Sequence, residues 1–218
     1  MKKEQPITTL LDLTSWPRRT HFEAYSTSAA CASHVTCRLD ITALRNFCRE
    51  NAYKFYPAMI VLVSEAVNRI PEFRMTLTAE QLPAIWNHVS PSYTVFHNDD
   101  RTFSTLNTRF TTSRSALYDR LIVDTEQHRD DRGIAVGEQL PNVFHISCLP
   151  WLDFTAFAMQ LHSKLYLAPI ITWGKYQESD GKVMLPVAVS IHHAAADGYH
   201  IAEFFRLLQE LCRLPAPW

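Results

Sequence analysis

Val183-Met184-Leu185-Pro186-Val187-Ala188-Val189-Ser190-Ile191-His192-His193-Ala194-Ala195-Ala196-Asp197-Gly198-Tyr199-His200 decides how this chain is read. Val183, Leu185, Val187, Val189 and Ile191 alternate along it, which predicts a strand with one apolar face. Pro186 removes one ladder donor, so an edge position or an early bulge is expected there. Past the corner, Ile201, Phe204, Phe205, Leu208, Leu211 and Cys212 recur at helical spacing and predict an amphipathic helix. Between strand and helix lie two imidazoles, three alanines with almost no side chain, an aspartate, and Gly198 to turn the chain. A lone histidine after a strand is ordinarily packed and hydrogen-bonded. Here the small neighbours leave room for another molecule, and an ionised Asp197 entering such a corner needs a cationic partner.

Composition narrows the function classes. The 218 residues suffice for one sizeable core, and 47% hydrophobic with 20% charged residues reads as a globular chain. Lys+Arg (21) balances Asp+Glu (22), so neither nucleic acid nor a membrane surface is the expected partner. Cys31, Cys37, Cys48, Cys148 and Cys212 are odd in number and lack a Cys-x-x-Cys pair, which fits free thiols in the cytoplasm. No apolar run is long enough for a leader or a membrane span. The glycines Gly133, Gly137, Gly174, Gly181 and Gly198 form no phosphate-cradling or dinucleotide loop, so any cofactor must be held by side chains and strand edges.

Read in order, the chain alternates elements without repeats or linkers, which predicts one domain over 1–218. Val35 to Leu39 reads as a strand, with Asp40 as N-cap of a helix over Ile41 to Arg49. Pro57 suits the first turn of a second helix, apolar nearly all round from Met59 to Ile70 and stopped by Pro71. Strands follow over Phe73 to Thr76, Ala84 to His88, Ser92 to His97 and Thr102 to Leu106, with Asn98 to Arg101 as a hairpin loop. Ser113 caps a helix over Ser115 to His128; 134–142 is a loop; Val143 to Cys148 and Leu167 to Trp173 are strands. Asp153 caps a helix carrying Phe154, Phe157, Leu161 and Leu165, and Lys175 to Gly181 is a turn. The sum is an α/β protein: a two-layer sandwich with a large mixed β-sheet covered by helices.

His192-His193-Ala194-Ala195-Ala196-Asp197-Gly198 resembles the His-His-x-x-x-Asp-Gly signature of coenzyme A-dependent acyltransferases, which dihydrolipoyl acyltransferase cores share. Tyr199-His200 and five further blocks, in order, resemble the chloramphenicol acetyltransferase family. They are Arg18-Arg19-x-His21-Phe22, Ala52 to Pro57, Thr94 to His97, Leu149-Pro150-Trp151 and Ala168 to Thr172. The resemblance covers nearly the whole chain. It implies transfer of the acetyl group of acetyl-CoA to a hydroxyl of chloramphenicol, without a metal, in a homotrimer with active sites between subunits.

Such a transfer needs a base for the hydroxyl proton, a donor for the oxyanion, and alignment of both substrates. The resemblance makes His193 the base, with its other ring nitrogen tied to backbone, and His192 structural. It pairs Arg18 with Asp197, for which a bidentate contact suits a buried loop. It places the oxyanion hydroxyl at Ser147 and makes Thr172 a helper that orients water. Coenzyme A falls to Lys54 with Tyr56 and Lys175 with Tyr176, basic and aromatic pairs that also suit ordinary solvated lysines beside core tyrosines. The acceptor falls to Tyr25, Cys31, Phe103, Phe157 and Met159. Two departures bear on acceptor affinity: His145 stands where some relatives have asparagine, and Ile134-Ala135 lack an aromatic found in them. Cys31 and Cys148 read as small packed thiols, since no acyl-enzyme is required. Two alternatives stay open: the same fold acting on a different alcohol, and a non-enzymatic metal site at His192, His193, Asp197 and His200.

Overall fold

Local rules account for most elements of the computed structural model, which describes residues 5–159, 165–215 and 218. The short β1 (Thr8–Leu10) and α1 (Arg19–Ser26) precede β2 (Ala32–Asp40) and α2 (Thr42–Glu50). Asp40 acts one residue earlier than expected. Its carboxylate accepts from the Thr42 amide at 3.0 Å and hydroxyl at 2.6 Å, while Ile41 holds the N-cap position. Next comes α3 (Phe55–Arg69), with Pro57 in its first turn; Pro71 ends it by opening a 3-10 turn, Pro71–Arg74. Phe73 lies in that turn, so β3 (Met75–Leu77) starts later than the apolar run indicated.

Then follow β4 (Pro83–Trp86), β5 (Ser90–Phe96) and β6 (Phe103–Asn107), the last two joined by the expected hairpin. Ser113 caps α4 (Arg114–Gln127) by accepting from the Ala116 amide at 3.3 Å. A loop leads to β7 (Val143–Cys148), β8 (Ile170–Trp173), β9 (Gln177–Ser179), β10 (Lys182–His192) and α5 (Gly198–Arg213). β9 pairs back onto β10, so the stretch read as a plain turn is a hairpin arm.

Among the described residues the larger sheet runs β2-β10-β8-β7-β5-β6, with β9 beside β10. β7 is parallel to both β5 and β8 and the other pairs are antiparallel, which makes the sheet mixed. A smaller antiparallel sheet, β1-β4-β3, flanks it. Leu185, Val187, Val189 and Ile191 are at most 2% exposed and belong to the same buried cluster as α3 and the apolar stripe of α5. Fully burying such a side chain contributes about 1.5–3 kcal/mol, so this layer holds the sheet flat against the helices.

Two expectations are overturned. β10 is internal, not an edge, with β2 on one side and β8 on the other. Pro186 is tolerated because it sits where pairing with β8 ends and pairing with β9 has yet to begin; its carbonyl still accepts from the Gly174 amide at 3.0 Å. The second correction concerns 153–159, which are not helical: residues 149–159 form a strap across the sheet. Asp153 pairs with Arg38 at 2.9 Å instead of capping, and the Lys175 amide donates to the Leu152 carbonyl at 2.7 Å. Gly174 lies so close beneath that a Cβ there would stand 2.4 Å from the Leu152 oxygen. Leu161, assigned to the same helix, lies outside the described residues, and Leu165 is described without helix.

Candidate functional site

The loop after β10 is built from its backbone outward. His193 donates its amide to the Cys31 carbonyl at 2.9 Å, which ties the loop to the start of β2. Ala195 and Ala196 donate to the His192 carbonyl at 2.9 and 3.3 Å, closing a tight turn. All three alanines are fully buried, so their small size lets the turn lie against the core. Gly198 has no positive φ, and a Cβ there would meet open space; the turn is made by the alanines, and Gly198 opens α5.

Asp197 is the N-cap of α5, accepting from the Tyr199 amide at 3.0 Å, and the His200 ring completes a capping box by accepting the Asp197 amide at 3.2 Å. Arg18 is the cationic partner, with Nε 3.5 Å from the Asp197 carboxylate. The contact is not bidentate. The guanidinium spends its other nitrogens on the Ala195 carbonyl and, at 3.4 Å, the His193 carbonyl, so it clamps the whole loop. Burial raises the Asp197 carboxyl, but His200, the Tyr199 amide and Arg18 outweigh it and leave its pKa lowered.

The two histidines have different surroundings. His192 accepts the Ala194 amide on Nδ1 at 3.2 Å, and burial with the adjacent His193 lowers its pKa. His193 stacks on Tyr25 with ring centres 3.9 Å apart and planes within 6°. Its Nδ1 is buried and meets no partner among the described residues, so the expected backbone tie is absent and the Tyr25 stack holds the ring. Arg18, Tyr25, Cys31, His193 and Asp197 thus form one group.

A second group surrounds a mostly apolar cavity of about 940 Å³, walled by β5–β8, the start of α3 and the strap. Phe103, Ser147, Phe157, Met159, Tyr56, Lys175 and Tyr176 line it, joined by Trp151 and Trp173, which composition alone did not single out. Ser147 is half-buried, and Thr172 is its register partner on β8, with a buried hydroxyl that meets no partner among the described residues. Tyr56 donates its hydroxyl to the Thr94 carbonyl at 2.8 Å and packs on Trp173; burial raises its pKa. Tyr176 lies under Arg45, 4.3 Å from the ring centre. Lys54 is exposed at the N-cap of α3 and does not line the cavity. Burial pushes the Cys148 thiol up to about 12, which keeps it unreactive. His145 pairs with the Tyr166 hydroxyl, and Ile134 is exposed and off the cavity wall.

The two groups do not meet within one chain. Ser147 faces Thr172, which faces Ala188 on β10, and His193 lies five residues beyond Ala188. Two strand spacings and five residues of rise put Ser147 and His193 roughly 19 Å apart. Their side chains together span less than half of that. Among the described residues, no three His, Cys, Asp or Glu side chains converge as metal ligands, and no helix is long and apolar enough to cross a membrane.

Known proteins share this framework. A dihydrolipoamide acetyltransferase of Azotobacter vinelandii has the same fold, with a TM-score of 0.62 at 18% identity over 89% of this chain and 86% of that one. A solved chloramphenicol acetyltransferase matches with a TM-score of 0.82 at 18% identity, covering 94% and 99%. Chloramphenicol acetyltransferase 2 of Escherichia coli is 41% identical over 206 residues, 94% of this chain and 96% of its own length. The family model described as chloramphenicol acetyltransferase matches residues 7–209, and with a relative of that identity along nearly the full length, the chain belongs to the chloramphenicol acetyltransferase family and is an acyltransferase.

Proposed function

We propose that this enzyme moves the acetyl group of acetyl-CoA to a hydroxyl of chloramphenicol, with His193 as general base. The observation that carries the reading is the Arg18-clamped loop, which holds the His193 ring against Tyr25 in a chain of this family. His193 takes the proton of the acceptor hydroxyl as its oxygen attacks the thioester carbon. Negative charge then gathers on the former carbonyl oxygen, where the Ser147 hydroxyl donates to it, with Thr172 beside it to order water. The carbon–sulfur bond breaks, the proton passes from His193 to the departing sulfur, and an acetyl ester and free coenzyme A result. Asp197 and Arg18 act by holding the loop. Lys175 and Tyr176 of the cavity wall, with Lys54 at the N-cap of α3, are assigned to coenzyme A, and Tyr56 to the wall beside them. The apolar wall of Phe103, Phe157 and Met159 suits a nitrophenyl acceptor, with Tyr25 and Cys31 supplied from the histidine side.

The same reading makes the enzyme a homotrimer. The roughly 19 Å between Ser147 and His193 in one chain is too far for a shared reacting carbon. A head-to-tail ring brings the His193 group of one subunit to the cavity of the next. Residues 1–218 act as one acetyltransferase domain, supported by one buried cluster that joins both ends of the described chain. Free thiols at all five cysteines support a cytoplasmic location. Purified protein incubated with acetyl-CoA and chloramphenicol is the test. Acetyl ester formed in step with free thiol is expected, and thiol release that ignores chloramphenicol would sink this acceptor.

A further inference from the structure

The strap crosses the sheet over two neighbouring rows of register partners on one face. The first row is Ser147, Thr172, Ala188 and Thr36. The second is His145, Ile170, Ser190 and His34. Thr36 accepts the Phe157 amide on its hydroxyl at 3.3 Å, and Ser190 accepts the Met159 amide at 3.3 Å. Further along, Arg38 holds Asp153. Among the described residues the strap has no ladder partner, so these side chains stand in for a neighbouring strand.

Ser190 is 5% exposed within the buried and otherwise apolar run Leu185–Ile191 of β10, a position where alanine or valine would pack without needing partners. Its hydroxyl has two uses: it meets His34 Nδ1 at 2.8 Å and receives the Met159 amide. The anchored residues alternate, Phe157 and Met159, and both line the apolar cavity, while Ala158 between them does not. The row that carries one anchor also carries Ser147. A shift of the strap would therefore change the distance between the cavity wall and the reacting centre.

We infer that Thr36 and Ser190 are positioning residues that set acceptor specificity by fixing the strap wall of the cavity at Phe157 and Met159. The inference rests on the reading of that cavity as the acceptor site. Thr36→Val keeps shape and removes the acceptor oxygen; Ser190→Ala does the same on the buried strand. Each variant is expected to raise the KM for chloramphenicol about 5- to 10-fold, with the KM for acetyl-CoA changed less than about twofold. Thr36→Ser is expected to restore the wild-type value. Hydrogen exchange of the peptide over 153–159 is expected to quicken in Thr36→Val and Ser190→Ala, with the rest of the protein unchanged. Unchanged exchange over 153–159 overturns the anchors, whatever the substrate proves to be. Quickened exchange with an unmoved KM for chloramphenicol, or with both KM values rising together, overturns the specificity role. A wild-type protein that ignores chloramphenicol overturns the functional reading instead, and the exchange result still decides the anchors.

Discussion

His192 and His193 are adjacent, yet their nitrogens face different chemistry. One imidazole is spent on the loop, with Nδ1 on the Ala194 amide; the other stacks on Tyr25, and its Nδ1 meets no partner among the described residues. His193→Ala is expected to cut acetyl transfer about 10²- to 10⁴-fold with the melting temperature nearly unchanged, whereas His192→Ala lowers the melting temperature more than turnover. Ser147→Ala is expected to lower kcat by about 10²-fold at constant KM, because the hydroxyl acts only as charge develops. A loss wholly in KM would make Ser147 a ground-state contact. Burial also leaves a pH signature. It lowers the pKa of His192 and His145 from the ordinary 6.5, so the unfolded chain takes up those protons first. Their neutral forms cost nothing above that value, and stability falls as pH drops below it. Denaturant midpoints are expected to fall between about pH 7.5 and about pH 5.5, and to fall less in His145→Asn. A wild-type midpoint flat across that window would refute it.

The start of α5 shows how an element shares the work of a site. Asp197 caps the helix, and only one guanidinium nitrogen of Arg18 approaches its carboxylate, at 3.5 Å with that side chain 32% exposed. Asparagine caps nearly as well as aspartate, so Asp197→Asn is expected to cost less than about 1 kcal/mol. Asp197→Ala loses cap and partner together and is expected to cost about 1–2 kcal/mol. Urea unfolding of both variants measures this. A loss of about 3–5 kcal/mol in Asp197→Asn would mean that assembly buries the pair completely.

The assembled molecule is tested by complementation. A His193→Ala subunit and a Phe103→Arg subunit are each expected to be inactive alone. In a head-to-tail trimer, an interface is intact when a chain with normal His193 meets one with a normal cavity. Random mixing in equal amounts is expected to restore about a quarter of the sites. No activity in verified mixed trimers would place both groups of residues in one chain and remove the shared site.

Much of this protein was legible in order along the chain. The alternation from Val183 to Ile191, the spacing from Ile201 to Cys212 and the all-apolar run ended by Pro71 name their elements by local rules, and the His-His-x-x-x-Asp-Gly corner together with five further blocks points to the family. Each signal lies within about one element, where side-chain period and backbone sterics act directly. What only the tertiary structure decided is what register aligns. Pro186 sits in an internal strand because the pairing with β8 happens to end there. Residues 153–159 form no helix, despite a capping aspartate and apolar spacing, because Arg38, Thr36 and Ser190 from distant strands offer partners that a helix would forgo. Ser147, Thr172, Ala188 and Thr36 form one row although more than a hundred residues separate the first from the last. Such a row exists only once strand pairing has set which side chains share a face, and no local preference encodes it.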